Sequence, residues 1–205
     1  MFIAHRRNTV EELNATPTEY GVEVDIRSNN GHLIIHHEPF QKGEYFEEWL
    51  QHFKHKTLIL NVKEEGLENQ LIELMQQHGI TDYFFLDQSF PYLIKWSKLG
   101  ERKCAVRVSE FESIKTALTL SGKIEWAWID CFTTFPLSKV DAQQLQIAGF
   151  KLCIVSPELQ GRSPEIEIPA MAALLKKLSI NPQAICTKNP ELWKECLGNN
   201  GVKHL

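Results

Sequence analysis

Short hydrophobic segments recur at intervals along the chain, and longer segments with a helical spacing of apolar residues lie between them. Runs of about four to eight residues rich in β-branched and aromatic side chains are typical of β-strands, whereas apolar residues that repeat every three to four positions are typical of amphipathic helices. The pattern predicts strands at residues 2–6, 21–27, 57–63, 83–87, 103–108, 126–131, 151–156 and 184–187.

The segments between these strands carry signals for helix starts. Two pairs of residues predict capping boxes, in which each side chain accepts a hydrogen bond from the backbone N–H of the other residue: Thr9 with Glu12, and Ser109 with Glu112. Ser163 and Asn189 each precede a proline, an arrangement that favours a helix beginning at the proline. Strand and helix therefore alternate from one end of the chain to the other.

This alternation implies parallel strands joined by right-handed crossover connections. Eight such units close into a compact (β/α)8 TIM barrel of the α/β class, and the lack of a linker, repeat or low-complexity tract predicts a single domain over residues 1–205. The structural alternative is an open doubly wound sheet, but no glycine-rich phosphate-binding loop follows the first strand.

An Asn-Gly pair interrupts the alternation after the second strand. Asn30-Gly31 separates strand 21–27 from a second extended segment at 32–37, and such a pair favours a tight turn because both residues tolerate positive φ. We therefore expect an extra β-hairpin after strand 2, with His36 and His37 near the end of its returning arm.

Polar side chains gather at the C-terminal ends of the predicted strands, where TIM-barrel enzymes place their active sites. Glu23, Asp25 and Arg27 alternate with apolar residues, so all three share one face of the second strand and point into the barrel. Polar residues end the other strands too: His5, Arg6, Asn61, Lys63, Asp87, Arg107, Asp130, Ser156 and Thr187. Burying such a set without a ligand or metal is energetically costly, which favours a functional site.

The residue types in this set indicate a particular chemistry. Two carboxylates one pleat apart, Glu23 and Asp25, suit a hard divalent cation such as Mg²⁺ or Ca²⁺. Histidines carry protons near neutral pH, and Lys63, Arg107 and Arg27 supply positive charge for an anion such as phosphate. Together these groups predict phosphodiester cleavage, in which one histidine is the base, another is the acid, and the cationic groups stabilise the developing charge.

Composition and charge narrow the range of partners. The 205 residues are 43% hydrophobic and carry a formal net charge of −4, which argues against a nucleic-acid surface, since that would need a concentrated basic stripe. The five cysteines fit no CxxC pattern, as expected in a reducing compartment, and neither a signal peptide nor a membrane-spanning apolar run is apparent. We therefore expect a cytoplasmic protein that acts on a small molecule.

Several short motifs resemble those of the glycerophosphodiester phosphodiesterase family, which belongs to the wider group of phosphatidylinositol phospholipase C-like barrels. His5-Arg6 resembles the family's HRG motif, Glu23-x-Asp25 its ExD motif, and IIHHE at 34–38 its HD motif. Weaker similarities to its ExK, SF and TDxP motifs lie at LILNVK (58–63), Ser89-Phe90 and 187–190.

The resemblance implies a phosphoric diester hydrolase and gives roles to individual residues. The catalytic acid–base pair would be His5 and His37. The implied metal, Mg²⁺ or Ca²⁺, would lie on three residues: Glu23, Asp25 and Asn61. Three basic residues would contact the phosphate: Arg6, Lys63 and, from its place late in a predicted strand, Arg107. Three further strand-end residues would support the site: Arg27, Asp87 and Asp130.

The chain also departs from the family's motifs. Arg7 replaces the glycine of HRG, Glu38 replaces the aspartate of HD, and Asn8-Thr9 matches the end of an ENT motif whose glutamate is missing. Asn61 stands where a third metal-binding glutamate is expected, so the implied ion would be held by less charge and more weakly. The interval between His37 and the third strand is too short for the family's small insertion domain, which predicts an open site that accepts bulky phosphodiesters.

Two other functions are compatible with the same residues. Lys63 at a strand end would also suit a Schiff-base aldolase or lyase, in which a desolvated amine attacks a carbonyl group. Alternatively, Asn61 and the shortened loop after the first strand are compatible with a catalytically inactive barrel that binds phosphate.

Four histidines outside the motifs fall on polar helical or terminal stretches: His52, His55, His78 and His204. Nothing in their sequence surroundings indicates a ligand, so we expect them on the solvated surface. His36 alternates with His37 along an extended segment and should therefore face away from it.

Overall fold

The structure is a computed structural model in which residues 1–198 are described. Strands and helices alternate along this range. The strands are β1 (Phe2–Ala4), β2 (Gly21–Asn29), β3 (His32–Ile35), β4 (Glu44–Tyr45), β5 (Leu58–Val62), β6 (Tyr83–Leu86), β7 (Ala105–Val108), β8 (Trp126–Ile129), β9 (Lys151–Val155) and β10 (Ala184–Thr187). The helices are α1 (Val10–Asn14), α2 (Phe46–Leu50), α3 (Glu68–Gln77), α4 (Phe90–Lys98), α5 (Ile114–Leu118), α6 (Lys139–Ile147), α7 (Pro164–Leu178) and α8 (Pro190–Gly198), with a short 3-10 helix at Pro157–Gln160.

All eight strands predicted from the hydrophobic pattern are present and differ from the prediction only at their ends. The predicted hairpin is also confirmed, because β3 runs antiparallel to β2 with Ile35 opposite Ile26, and β4 adds to β3. Asn30 and Gly31 have φ angles of 51° and 82°, the left-handed conformation that this tight turn requires.

The strands belong to one mostly parallel ten-stranded sheet. Strand β2 pairs in parallel with both β1 and β5, β6 pairs in parallel with β5, and β9 pairs in parallel with β10. The ladder is not closed: between β6 and the segment before β7, the described residues form one isolated bridge, from Phe85 to Cys104. Parallel strands separated by helices confirm the predicted α/β class.

Contacts between residues divide the chain into two compact units. The N-terminal unit comprises Ile3–Val106 and Lys123–Trp126, and the C-terminal unit comprises Met1–Phe2, Arg107–Gly122 and the chain from Ala127 onward. Strands β2 to β6 lie in the N-terminal unit, whereas β9 and β10 lie in the C-terminal unit. The single domain inferred from the sequence stays a prediction.

Strand β2 is buried on both of its faces. Val22, Val24 and Ile26 are fully buried on one face, as a strand packed against helices requires. Glu23 and Asp25 alternate with them and are equally buried. The apolar core of the N-terminal unit therefore lies on one side of β2, and a polar cluster lies on the other.

Most predicted helix starts are confirmed. Thr9 and Glu12 form the capping box that begins α1, and α7 and α8 begin at the prolines that follow Ser163 and Asn189. The capping box predicted for Ser109 and Glu112 is wrong. Their side chains bond to each other at 2.8 Å within a loop, and α5 begins five residues after Ser109, at Ile114, with Ser113 as its N-cap.

The histidines outside the motifs have different environments. His52 and His78 are exposed, as predicted. The prediction for His55 is wrong, because this residue is half-buried and its Nε2 lies 2.9 Å from the backbone oxygen of Thr16. His204 lies outside the described residues. None of the helices within residues 1–198 has the length and hydropathy of a bilayer-spanning segment.

Candidate active site

The candidate site is built on the C-terminal ends of β1, β2, β5 and β6, all within the N-terminal unit. The parallel register sets Asp25 of β2 beside Asn61 of β5, and it sets Ala4 of β1 beside Val22. The C-terminal ends of parallel strands lie at the same edge of the sheet. His5 and Arg6, which follow β1, therefore lie at the same edge as Lys63, which follows β5.

Glu23 is fully buried and lies next to three other predicted site residues. Its Oε1 accepts a hydrogen bond from Asn61 Nδ2 at 2.7 Å, and its Oε2 accepts one from the backbone N–H of Arg6 at 2.7 Å. His5 Nε2 lies 3.8 Å from the same Oε2. Burial and the neighbouring charge of Asp25 raise the pKa of Glu23 to about 7, against the opposing effect of these hydrogen bonds.

Asp25 is also fully buried, and an asparagine holds it from two sides. Its Oδ2 accepts a hydrogen bond from Asn8 Nδ2 at 2.8 Å, while its own backbone N–H donates to Asn8 Oδ1 at 3.0 Å. Two cationic side chains complete its surroundings: Arg6 Nε lies 3.5 Å from Oδ2, and Lys63 Nζ lies 3.2 Å from Oδ1. Asn8, Arg6 and Lys63 therefore surround the Asp25 carboxylate with polar and cationic groups.

The backbone after β1 is bent to bring these donors to the carboxyl groups. Arg6 has a φ of 50°, a left-handed conformation that is unfavourable for a residue with a Cβ. The bend is held by the N–H of Arg7, which donates to the Glu23 carbonyl at 2.8 Å, and by Trp49 Nε1, which donates to the Arg7 carbonyl at 2.9 Å. Backbone strain of this kind persists where surrounding bonds impose it, often at functional sites.

Lys63 connects Asp25 with the end of β6. Its Nζ lies 3.2 Å from an oxygen of Asp87, which also has a left-handed φ, of 60°. A cavity of about 310 Å³ adjoins Lys63 and is lined by Val62, Glu64, Glu65, Glu68, Asp87, Gln88, Ser89 and Tyr92. A larger cavity of about 720 Å³ in the C-terminal unit is lined mainly by apolar side chains and by none of the predicted site residues.

The hairpin places His37 next to two charged residues. His37 Nδ1 lies 2.6 Å from Glu38 Oε1, and the hydrogen bond and charge of His37 lower the pKa of Glu38. Arg27 donates from Nε and Nη2 to the backbone oxygen of His37, at 3.2 and 2.8 Å, and from Nη1 to the backbone oxygen of Lys63 at 3.4 Å. Arg27 therefore ties the end of the hairpin to the end of β5.

Two predicted residues, Arg107 and Asp130, belong to the C-terminal unit. They form a pair with each other, with Arg107 Nη1 at 3.5 Å from Asp130 Oδ2. Gln160 Nε2 donates to the other carboxylate oxygen of Asp130 at 2.7 Å. Their roles in phosphate binding and support stay predictions.

The donors around Glu23 and Asp25 do not fit a divalent cation. Mg²⁺ and Ca²⁺ require carboxylate or carbonyl oxygens at about 2.0–2.6 Å, turned toward the ion. Three of the four carboxylate oxygens instead accept hydrogen bonds from N–H groups, the fourth lies 3.2 Å from the Lys63 ammonium group, and Asn61 presents its NH2 rather than its oxygen to Glu23. Oδ1 of Asp25 and Oδ1 of Asn61 are buried and accept no hydrogen bond from the described residues. Among the described side chains, no group of three or more His, Cys, Asp or Glu is arranged to hold a metal ion.

The structure thus joins most of the residues predicted for the site. His5, Arg6, Glu23, Asp25, Asn61 and Lys63 form one network, to which Asp87, Arg27 and His37 connect through Lys63. Asn8, which binds Asp25 by two hydrogen bonds, is not among the residues predicted for the site. The one available signal was its match to the end of the ENT motif, three residues after His5.

Comparison with known proteins agrees with this architecture. No family model and no curated protein matches the chain. Among solved structures, a glycerophosphodiester phosphodiesterase from Agrobacterium tumefaciens str. C58 has a TM-score of 0.66 and 12% identity, covering 96% of this chain and 98% of its own. A glycerophosphoryl diester phosphodiesterase from Parabacteroides distasonis ATCC 8503 has a TM-score of 0.68 and 12% identity, covering 100% of this chain and 88% of its own.

The fold is shared with glycerophosphodiester phosphodiesterases. A candidate glycerophosphoryl diester phosphodiesterase from A. tumefaciens str. C58 is similar over 97% of both chains, with a TM-score of 0.68 and 15% identity. The predicted resemblance to this family and the predicted TIM-barrel fold are therefore confirmed at the level of the fold. Identities of 12–15% are too low to transfer residue roles.

Proposed function

We propose that the chain is a phosphodiesterase that hydrolyses a small, lipid-linked or sugar-linked phosphodiester. The observation that best supports this function is the meeting of His5, Arg6 and Lys63 around two fully buried carboxyl groups at the end of β2. Histidine for proton transfer and cationic groups for an oxyanion are what phosphodiester hydrolysis requires. The fold shared with phosphodiesterases supports the same conclusion.

Hydrolysis needs a base for the attacking oxygen and an acid for the leaving oxygen. In the proposed reaction, one histidine of the pair His5 and His37 removes a proton from water while the water oxygen forms a bond to phosphorus. The P–O bond to the alcohol then breaks, and the other histidine gives its proton to the departing oxygen. Proton exchange with solvent restores both rings.

The neighbours of each histidine suit this proton transfer. The Glu38 carboxylate binds Nδ1 of His37, which fixes the ring and leaves Nε2 for the substrate. The positive charge that stabilises the phosphate comes from Arg6, whose side chain is 41% exposed, and from Lys63. Glu23 and Asp25 hold these cations and His5 in place.

A variant of Lys63 provides the sharpest test of this function. We expect the purified chain to hydrolyse bis(p-nitrophenyl) phosphate, and Lys63→Arg to keep far more of the rate than Lys63→Met, because arginine retains the charge at the phosphate. Absence of turnover in the wild type at any pH from 5 to 9 would favour the inactive phosphate-binding barrel.

The same variants separate hydrolysis from Schiff-base chemistry. An imine can form on lysine but not on arginine, so an aldolase or lyase would lose activity equally in both variants. Lys63 Nζ lies 3.2 Å from both Asp25 and Asp87, so two carboxylates already engage the amine that would have to attack a carbonyl group. Irreversible modification of Lys63 by borohydride and a carbonyl substrate would contradict the phosphodiesterase assignment.

A further inference from the structure

We propose that two side-chain amides, Asn8 and Asn61, replace a divalent cation in this site, so that the carboxyl pair of Glu23 and Asp25 is held without metal. This inference rests on the proposed phosphodiesterase function, but the cation titrations that test it do not require enzymatic activity. It makes Asn8 and Asn61 positioning residues that act through the carboxyl groups.

The Asn61 amide is oriented by Glu23. Asn61 is 6% exposed, and its Nδ2 lies 2.7 Å from Glu23 Oε1. In this orientation the amide donates to Glu23, and its buried Oδ1 accepts no hydrogen bond from the described residues. A residue that would serve as a cation ligand through its oxygen is thereby turned into a hydrogen-bond donor.

Two hydrogen bonds join Asn8 to Asp25. Nδ2 of Asn8 donates to Oδ2 of Asp25, and Oδ1 of Asn8 accepts from the backbone N–H of Asp25. The two bonds fix the amide orientation and the side-chain conformation of Asp25 together. As a result, Oδ1 of Asp25 is directed toward Lys63.

Cationic side chains lie beside both carboxylate oxygens of Asp25. Arg6 Nε lies 3.5 Å from its Oδ2, and Lys63 Nζ lies 3.2 Å from its Oδ1. A divalent ion at this carboxylate would have to displace the Lys63 ammonium group or lie next to it, and like charges in a buried site repel strongly. The positive charge for the phosphate is then supplied by Arg6 and Lys63 alone.

Isosteric Asn-to-Asp substitutions test the inference directly. Asn61→Asp and Asn8→Asp each add a third carboxylate while keeping the size of the side chain, and Asn14→Asp adds the same charge at an exposed position of α1. Isothermal titration with CaCl2 and with MgCl2 should show no saturable site in the wild type or in Asn14→Asp. Asn61→Asp and Asn8→Asp should gain one, with affinity at least about tenfold above any wild-type signal, because ligand charge sets cation affinity.

Each outcome has a defined meaning. A saturable wild-type site that disappears in Asp25→Asn overturns the inference. Failure of both Asn61→Asp and Asn8→Asp to bind a cation, with each shown by circular dichroism to be folded, overturns it as well. If one variant does not fold, the other decides.

Measurements of turnover distinguish a failure of this inference from a failure of the proposed function. Wild-type turnover of bis(p-nitrophenyl) phosphate should be unchanged by excess EDTA, and a loss of turnover restored by Ca²⁺ or Mg²⁺ would contradict the inference. If no turnover is found under any condition, the phosphodiesterase proposal fails, while the titrations still report whether the amides exclude a cation.

Discussion

The polar strand ends of the two compact units look alike in the sequence but differ in what they contact. In the C-terminal unit, Glu158 accepts hydrogen bonds from the hydroxyl groups of Ser156 and Thr187 and from the backbone N–H of Lys188, and Trp193 Nε1 donates to the Ser156 hydroxyl at 2.7 Å. These are neutral donors that bind one segment of the unit to the next.

In the N-terminal unit, by contrast, the buried carboxyl groups meet a histidine and two cationic side chains as well as amides. Arg6 and Asp87 in the same cluster have left-handed backbones, which are unfavourable for residues other than glycine. Charge, proton carriers and strain at one place are typical of functional sites, whereas a carboxylate bound by hydroxyl and backbone N–H groups is typical of a structural junction.

The largest expected effect is a loss of kcat when the histidines of the N-terminal unit are replaced. His5→Ala and His37→Ala should each lower kcat for a phosphodiester by about two to four decades, since each removes a proton-transfer group. His78→Ala, at the exposed end of α3, is the matched control and should keep the wild-type rate. Near-normal turnover in both site variants would remove the basis for a two-histidine mechanism.

In the C-terminal unit, a substitution among the hydrogen-bonded residues Ser156, Glu158, Thr187 and Trp193 should lower stability and leave kcat unchanged. Ser156→Ala leaves the buried Nε1 of Trp193 without its acceptor, which should cost about 1–3 kcal/mol in the free energy of unfolding. Ser163→Ala, at an exposed position, should cost far less. Urea unfolding measures both, and kcat should match that of the wild type. A loss of kcat in Ser156→Ala with unchanged stability would show that this junction takes part in the reaction.

Two glutamates, one in each unit, should have pKa values shifted in opposite directions. Burial and the charge of Asp25 raise the pKa of Glu23 to about 7 from 4.5. Desolvation acts to raise the pKa of Glu110, but hydrogen bonds from the backbone N–H groups of Thr134 and Thr133 outweigh it and lower the pKa to about 2. Carbon-13 NMR of the side-chain carboxyl groups, without added cations, should resolve both values.

The two shifts have opposite consequences for stability. A raised carboxyl pKa gives a contribution that is present below pH 4.5 and lost as the pH rises through about 7, so Glu23→Gln should flatten the stability profile in that range. A lowered pKa gives a contribution that is present above pH 4.5 and lost as the pH falls through about 2, so Glu110→Gln should flatten the acid range. Titration of both groups near pH 4.5 would contradict this contrast.

The sequence predicted the strands well because each is a dense apolar run bounded by polar residues, and the hairpin because Asn30-Gly31 is a strong local signal. It predicted which face of β2 carries Glu23 and Asp25, because side-chain alternation along a strand needs no knowledge of the loops. The roles of the site residues stay predictions. The capping box at Ser109 and Glu112 failed because the same two side chains can bond each other in a loop without starting a helix.

The residues missed or misjudged depend on contacts that are distant in the sequence. Asn8 reaches Asp25 only because the backbone bends at Arg6, and nothing in the pattern of apolar positions predicts that bend. Similarly, Asn61 was expected at the implied metal, and the structure shows its NH2 group against an oxygen of Glu23. The metal itself stays a prediction. Local patterns place residues on a strand end but do not decide which atom of an amide is used.

The pH dependence of kcat/KM for a chromogenic phosphodiester tests the central claim most directly. Two histidines that act as base and acid must be in opposite protonation states, so the wild type should give a bell-shaped profile. His5→Gln and His37→Gln should each lose one limb of the bell, and a different one. A flat profile in the wild type, or an unchanged bell in both variants, would contradict the assignment of His5 and His37 as the catalytic pair.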